Sequence, residues 1–90
     1  MLTIKKTTKF KKEFKAAVKR GCNIAVFEFV VNELANERKL DEKYHDHALT
    51  GNYTGFRECH LAPDWLLVYE IDHGQLVLTL SRTGSHSDLF

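Results

Sequence analysis

Arg82-Thr83-Gly84-Ser85-His86 follows the last apolar run of the chain and puts a fixed cation and a titratable imidazole on one short turn near the C-terminus. Upstream stand His47, His60, Asp64 and Trp65. Such a set suits the binding and cutting of an RNA phosphodiester. Cleavage by the neighbouring 2′-hydroxyl needs a base for that hydroxyl, an acid for the departing 5′-oxygen, and positive charge for the dianionic phosphorane. Histidine fits both proton roles, with an ordinary pKa of about 6.5. Arginine fits the third because it stays charged and forks onto phosphate oxygens.

Each of these side chains also has a plainer reading. His86 lies outside any apolar pattern and could simply tie down the tail. His47 sits in a long polar stretch, where a solvated histidine is ordinary. His60 shares strand parity with Phe56 and Glu58, so it could orient a site as well as transfer a proton. Asp64 follows Pro63, and turn chemistry alone accounts for it; as part of a site it would hold and polarise a histidine. Trp65 opens an apolar run and reads as core at its inner edge. Phe90 is either a staple for the tail or a platform for a base, and stacking of that kind contributes about 1–3 kcal/mol per base. Arg57 reads as a phosphate contact or as the cross-strand partner of Glu70, and His73 as an idle turn residue. The five histidines also raise a zinc site, with His45-x-His47 and His60-x₃-Asp64 as ligand pairs. No thiol cluster or HExxH accompanies them, and no metal is expected.

Ninety residues make one domain, residues 1–90. A chain of this size buries about 60–65% of its extended surface, so the core is modest. A hydrophobic content of 43% fits a globular protein rather than a disordered one. No apolar run approaches the ~20 residues needed to span a bilayer. The first residues lack an apolar signal region, so the expected compartment is the cytoplasm, without membrane association. Cys22 and Cys59 form no CxxC pair and read as small, partly buried apolar residues. The net charge of +1 conceals an asymmetry. Residues 1–20 carry eight basic side chains against Glu13 alone, and the remaining seventy carry five basic and eleven acidic. A basic block of this kind suits a polyanion or an acidic partner, or is a solvated helix face.

The elements that must position these residues follow from pattern. Leu2 and Ile4 alternate with Thr3 and Lys5 as a short first strand. Thr7 or Thr8 caps a helix in which Phe10, Phe14, Ala17 and Val18 share a face, and Gly21 ends it. Asn23 caps a second helix with Ile24, Phe27, Val30, Val31 and Leu34 as its stripe, close enough to form a hairpin with the first. Residues 36–55 are polar and without a clear period, and a loop of that length is more often functional than idle. Phe56–Leu61, Trp65–Ile71 and Leu76–Ser81 then read as a β-meander with turns at Ala62-Pro63-Asp64 and Asp72-His73-Gly74. The spacing predicts an α+β fold: a small antiparallel sheet in β-α-α-β-β-β order, with the helical hairpin packed on one face.

From Tyr44 to Phe90 the chain resembles the YafQ-type branch of the RelE/ParE toxin superfamily. The likeness lies in Tyr44-His45-Asp46-His47, Leu49-Thr50-Gly51, Gly55-Phe56-Arg57, His60, Pro63-Asp64-Trp65, Arg82-Thr83-Gly84-Ser85-His86 and the closing Leu89-Phe90. Order and spacing together carry it; the helical half agrees in pattern only. One departure is His45, a second imidazole beside His47. The resemblance implies a compact RelE/ParE-like domain with its site on the concave sheet face. It also implies a type II toxin that cuts mRNA in the ribosomal decoding site and is neutralised by an antitoxin from the same operon. The family's functional positions match at His47, His60, Asp64, Trp65, Arg82, His86 and Phe90.

On this reading His47 is the general base, His86 the general acid and Arg82 the phosphorane stabiliser. Base and acid are exchangeable, and His60 and Asp64 are available to either. Trp65 and Phe90 are expected to meet RNA. Lys9, Lys12 and Lys19 of the basic helix are placed on ribosomal RNA by charge, not by motif. No cofactor is expected, and the free toxin is expected to be a monomer. The rivals are a non-enzymatic RNA- or protein-binding module and a ParE-like gyrase inhibitor, and neither needs a set of proton-transfer groups.

Overall fold

Two side-chain caps start the helical half. The Thr7 hydroxyl accepts the Phe10 N–H at 3.0 Å and opens α1 (Thr8–Lys19), and the Asn23 carbonyl accepts the Ala25 N–H at 3.0 Å and opens α2 (Ile24–Ala35). Gly21 supplies the left-handed step between them at φ 85°. α1 buries Phe10 and Ala17, and the Phe10, Phe14 and Phe27 rings pack at 4.5–5.9 Å across the hairpin. Val18, expected in the same stripe, is 46% exposed. Lys9, Lys12 and Lys19 all point to solvent, as the spacing requires.

The computed structural model describes residues 1–90. Its strands are β1 (Thr3–Lys6), β2 (His47–Ala48), β3 (Arg57–Ala62), β4 (Trp65–Asp72) and β5 (Val77–Gly84), and a last helical turn, α3 (His86–Leu89), closes the chain. They form one sheet in the order β1-β5-β4-β3-β2. The meander is antiparallel as expected, but β1 runs parallel to β5, because the helical hairpin carries the chain back over the sheet between them. β2 is a strand that the polar composition of 36–55 conceals. β5 begins one residue later than expected, with Leu76 left out in a left-handed turn at φ 57°.

β4 is buried on both faces. Trp65, Leu67 and Tyr69 join Leu78, Leu80 and the helices in the main core. Leu66 and Val68, both essentially inaccessible, face the other way, where Leu89 of α3 covers them together with Leu49 and Phe56. The sheet is therefore sandwiched between the helical hairpin and a cover made from the tail and the segment before β3.

A β-bulge sets the direction of Arg82. Tyr69 pairs with Leu80, but the next residue back, Val68, pairs with Arg82, so Ser81 is the extra residue. Strict alternation would put Arg82 on the helix side with Leu78 and Leu80. The bulge turns it to the face of Val68.

α3 is tied by a capping box. The Ser85 hydroxyl accepts the Asp88 N–H at 3.1 Å, and the Asp88 carboxylate accepts the Ser85 N–H at 3.1 Å and an Arg20 N–H at 3.2 Å. The bond from Ser85 leads in holding the Asp88 carboxyl below its ordinary range. Because the folded value is depressed, this stabilisation is present above the unfolded value of about 3.9 and is lost as pH falls through the folded one. Amide protection at Leu89 and Phe90, measured against the unprotected chain, should drop below about pH 4 while that of Leu67 and Leu78 persists. In Asp88→Ala it should already be weak at neutral pH. Undiminished protection in that variant would mean that Leu89 packing alone holds α3.

Candidate active site

The stretch that sequence pattern left blank is built by local hydrogen bonds. Asp41 accepts the Lys43 N–H at 3.0 Å and starts a 3₁₀ turn that buries Tyr44. His45 follows in the left-handed region at φ 48°. Asp46 then turns inward. Its carboxylate accepts the buried Tyr69 hydroxyl and an Arg57 N–H at 3.2 Å. Arg57 therefore pairs with Asp46, not with Glu70. This clamp anchors the backbone between the two histidines of Tyr44-His45-Asp46-His47. Its electrostatics are consistent: burial, and then Asp46, push the Tyr69 phenol above its ordinary value, so it stays a donor.

β2 pairs His47 with Glu58. The Glu58 side chain is only 5% exposed, and one oxygen, Oε1, lies 3.3 Å from His47 Nε2 and 3.6 Å from His60 Nε2. The other ring nitrogen of His47, Nδ1, is 3.2 Å from the Ala48 carbonyl oxygen. The carbonyl at Nδ1 and the Glu58 carboxylate at Nε2 can both only accept, so each favours a proton on the ring nitrogen it faces. His60 is pulled below the ordinary imidazole range, first by burial and then by the neighbouring imidazoles, while Glu58 opposes the shift.

The tail supplies the opposite wall. His60 pairs across the sheet with Leu66, and Leu66 with Gly84. At Gly84 a side chain would come within 3.1 Å of Asp88, so glycine lets α3 fold back onto the sheet. The His86 ring then lies 5.6 Å from the His60 ring, which is itself 5.3 Å from the His45 ring. Asp64 stands beside His86: its carboxylate accepts the His86 N–H at 3.4 Å and is 3.9 Å from Nδ1. His45, His47 and His60 line one cleft of about 720 Å³ with Lys43, Tyr44 and Pro63.

Arg82 joins this face through the bulge, but its fork is taken. Nε and Nη2 donate to the two oxygens of Glu13 at 3.3 and 2.6 Å, and the Thr83 N–H donates to the same carboxylate at 3.3 Å. Glu13 is the lone acid of the basic helix, and nothing in its sequence context pointed to this role. The hydrogen bond to Glu13 leads in holding the guanidinium above its ordinary pKa, and Tyr53 adds to the effect. Tyr53 also packs edge-on at 5.2 Å against the ring of Phe90, a residue that is 57% exposed.

One expectation needs correction. Trp65 is 3% exposed and lies in the main core, so it offers no face to RNA; its apolar surroundings outweigh its place beside Asp64. The ligand pairs weighed and set aside on spacing, His45-x-His47 and His60-x₃-Asp64, are not the group whose ligand atoms converge. Instead His47, Glu58 and His60 bring ligand atoms within 4.8 Å of one another, a convergence across β2 and β3 that linear spacing cannot show. Glu58 is the site residue that sequence reasoning passed over; its alternation with His60 on one strand face was the available signal. His73 lies at the far end of the sheet, exposed, 3.0 Å from Glu37.

The profile of the bacterial toxins of type II toxin–antitoxin systems called YafQ matches residues 2–90. The mRNA interferase toxin YafQ of Escherichia coli strain K12 is 34% identical over 82 residues, 90% of this chain and 87% of its own. A metal-bound toxin from Helicobacter pylori is 50% identical and superimposes with a TM-score of 0.95 over 100% of both chains. The E. coli DinJ–YafQ complex contains a chain that is 32% identical, with a TM-score of 0.90 over 100% of this chain and 99% of that one. The chain belongs to the YafQ family of bacterial toxins of type II toxin–antitoxin systems.

The Asp46 clamp has a measurable weight. Asp46→Ala leaves the buried Tyr69 hydroxyl without an acceptor and should cost about 1–3 kcal/mol in urea unfolding. Tyr69→Phe should recover part of that loss when combined with it, because both partners are then gone. Fully additive losses in the double variant would show that the two groups do not act together.

Proposed function

We propose that this protein is an endoribonuclease that cuts mRNA on the ribosome by metal-independent acid–base catalysis. The observation that carries the reading is the convergence of His47, His60 and His86 with Arg82 on one face of the sheet. A protein that only binds RNA, or that blocks gyrase, has no need of gathered proton-transfer groups. The mRNA interferase name of the E. coli relative agrees with this class of chemistry.

In its neutral form with Nδ1–H donated to the Ala48 carbonyl, His47 takes the 2′-hydroxyl proton on Nε2. Glu58 stands against the imidazolium that forms. His60, beside the same carboxylate, can take this part instead. The oxygen attacks the adjacent phosphate. His86, oriented by Asp64, protonates the departing 5′-oxygen. Arg82, held in place by Glu13, presents its remaining N–H groups to the phosphorane. Phe90 stacks on a base. The products are a 2′,3′-cyclic phosphate, or the 3′-phosphate from its opening, and a 5′-hydroxyl.

The partners of this reading are a cognate antitoxin, as DinJ is for the E. coli toxin, and ribosomal RNA under the basic face of α1. The toxin acts as a monomer in the cytoplasm, where its message and ribosome are. No helix is long and apolar enough to cross a membrane.

Single-turnover cleavage on saturating ribosomes tests the assignments. His86→Gln should lower the rate by the ~10²–10⁴-fold typical of a lost general acid. Arg82→Ala should lower it by ~10²–10³-fold, as for one lost transition-state donor, with message binding much less affected. Between about pH 5.5 and 8.5 the wild-type rate should curve with at least one imidazole ionisation, and His86→Gln should lose one limb. If Arg82→Ala cuts at the wild-type rate once saturated, Arg82 serves binding only.

The basic face has its own readout. Reversing charge at Lys9, Lys12 and Lys19 together should weaken ribosome binding and flatten its salt dependence, by roughly one unit of slope for each phosphate no longer neutralised. The thermal midpoint should barely move, because all three side chains are exposed. An unchanged slope with full toxicity would leave the face merely solvated.

A further inference from the structure

We propose that the cleft beside the histidines is a subsite for the nucleobase of the nucleotide whose 2′-hydroxyl attacks, with His45 as its selecting side chain. The inference rests on the acid–base reading above. The cleft of about 720 Å³ reaches past His47 and His60 to Val26 of α2 and to Leu61 and Pro63 around the end of β3. His86 and Arg82 lie outside its lining. It thus opens on the side of the base, away from the acid that serves the departing oxygen.

Three rings give the strand its direction. His60 is flanked by His86 at 5.6 Å and by His45 at 5.3 Å. The attacking 2′-hydroxyl and its base share one ribose. With that hydroxyl at His47 or His60, the base falls within one sugar of them, in the cleft that His45 lines. The nucleotide on the departing 5′-oxygen falls on the His86 side, where Phe90 ends the chain.

The local fold presents the His45 ring. Its backbone is left-handed at φ 48°, a region that histidine enters more readily than most side chains but still at a cost. The conformation is imposed from both sides: Tyr44 is buried, and Asp46 is held by Tyr69 and Arg57. Between these two inward-facing neighbours His45 stays exposed in the cleft. Val26, Leu61 and Pro63 add apolar surface to the same cleft, and Lys43 adds a cation. A flat imidazole, apolar walls and an ammonium are the parts of a base-stacking site on a phosphate chain.

Adenosine 3′-phosphate and adenosine 5′-phosphate, titrated separately into the intact toxin and followed by NMR, test the subsite. With phosphate at Arg82, the 3′-isomer puts its base on the His45 side and the 5′-isomer on the Phe90 side. The 3′-isomer should shift the signals of Val26, His45 and Leu61, and the 5′-isomer those of Phe90. His45→Asn tolerates the left-handed backbone but loses the ring. It should weaken the 3′-isomer by about 5–150-fold, the span of one lost stacking contact, and leave the 5′-isomer unchanged. Folded His45→Phe, which keeps a flat face, should recover most of that loss. No binding of the 3′-isomer, no loss in His45→Asn, equal loss of both isomers, or loss of the 5′-isomer alone overturns the subsite. A His45→Phe protein that binds no better than His45→Asn overturns the role of the ring. In the second arm, primer extension maps cuts on ribosome-bound message. His45→Asn should relax the choice of base immediately 5′ of the cut and leave that on the 3′ side as it was. Identical maps overturn His45 as the selecting side chain. If the wild type cuts nothing, the nuclease reading fails, while the titration still decides the base site.

Discussion

The central strand β4 is apolar on both faces, and that single constraint shapes the rest of the molecule. A strand of this kind leaves neither face in water. The helical hairpin covers Trp65, Leu67 and Tyr69. Ninety residues offer no second pair of helices for Leu66 and Val68, so the cover there is assembled from Leu49, Phe56 and Leu89. Burying each such side chain contributes about 1.5–3 kcal/mol, enough to order short segments that have little structure of their own. Those segments carry Tyr53, His86 and Phe90. The candidate site therefore lies where packing brings the loop and the tail over the sheet.

The half of the fold that rests on period and caps was legible in the sequence. Thr7, Asn23 and Gly21 bounded the helices, and alternation with turn residues marked β3, β4 and β5. What escaped was of three kinds. β2 has only two residues and an apolar count too small to show a period. The bulge at Ser81 leaves no sequence mark, yet it decides the face of Arg82. The parallel pairing of β1 with β5 is a long-range choice that β1's own residues do not encode. In the site, the histidines and Arg82 were legible because their residue types are informative. Glu13, Asp46 and Glu58 were not, because an acidic residue on a helix, in a loop or on a strand has a solvated reading by default. Trp65 was legible as core from its apolar run, and its place beside Asp64 is a matter of sequence only.

Those unseen acids have a common use. The chain is nearly neutral overall, but its site gathers cations and groups that become cations, and such groups repel one another when brought together. Five of them are matched with a carboxylate: Arg82 with Glu13, Arg57 with Asp46, His47 and His60 with Glu58, His86 with Asp64. The pairing orients as well as neutralises. A guanidinium bound along one edge by Glu13 can turn only its other N–H groups to a phosphate, which makes its direction definite before substrate arrives.

The two ends of the proposed proton path stand on supports of different strength. His47 is fixed on three sides, by β2 pairing, by the Ala48 carbonyl and by the Asp46 clamp one residue away, which reaches a buried tyrosine. His86 sits on a four-residue helix whose capping box is exposed, held to the sheet chiefly by Leu89. Local opening costs least where few apolar contacts and only exposed hydrogen bonds resist it. The tail can thus lift without unfolding the domain, whereas the His47 side cannot move without breaking the clamp. On the proposed reading, an RNA strand entering from solvent would meet a fixed wall at His47 and Glu58 and an adjustable wall at His86 and Phe90. A site on the face of a small sheet can in this way close on a substrate too large for it to enclose.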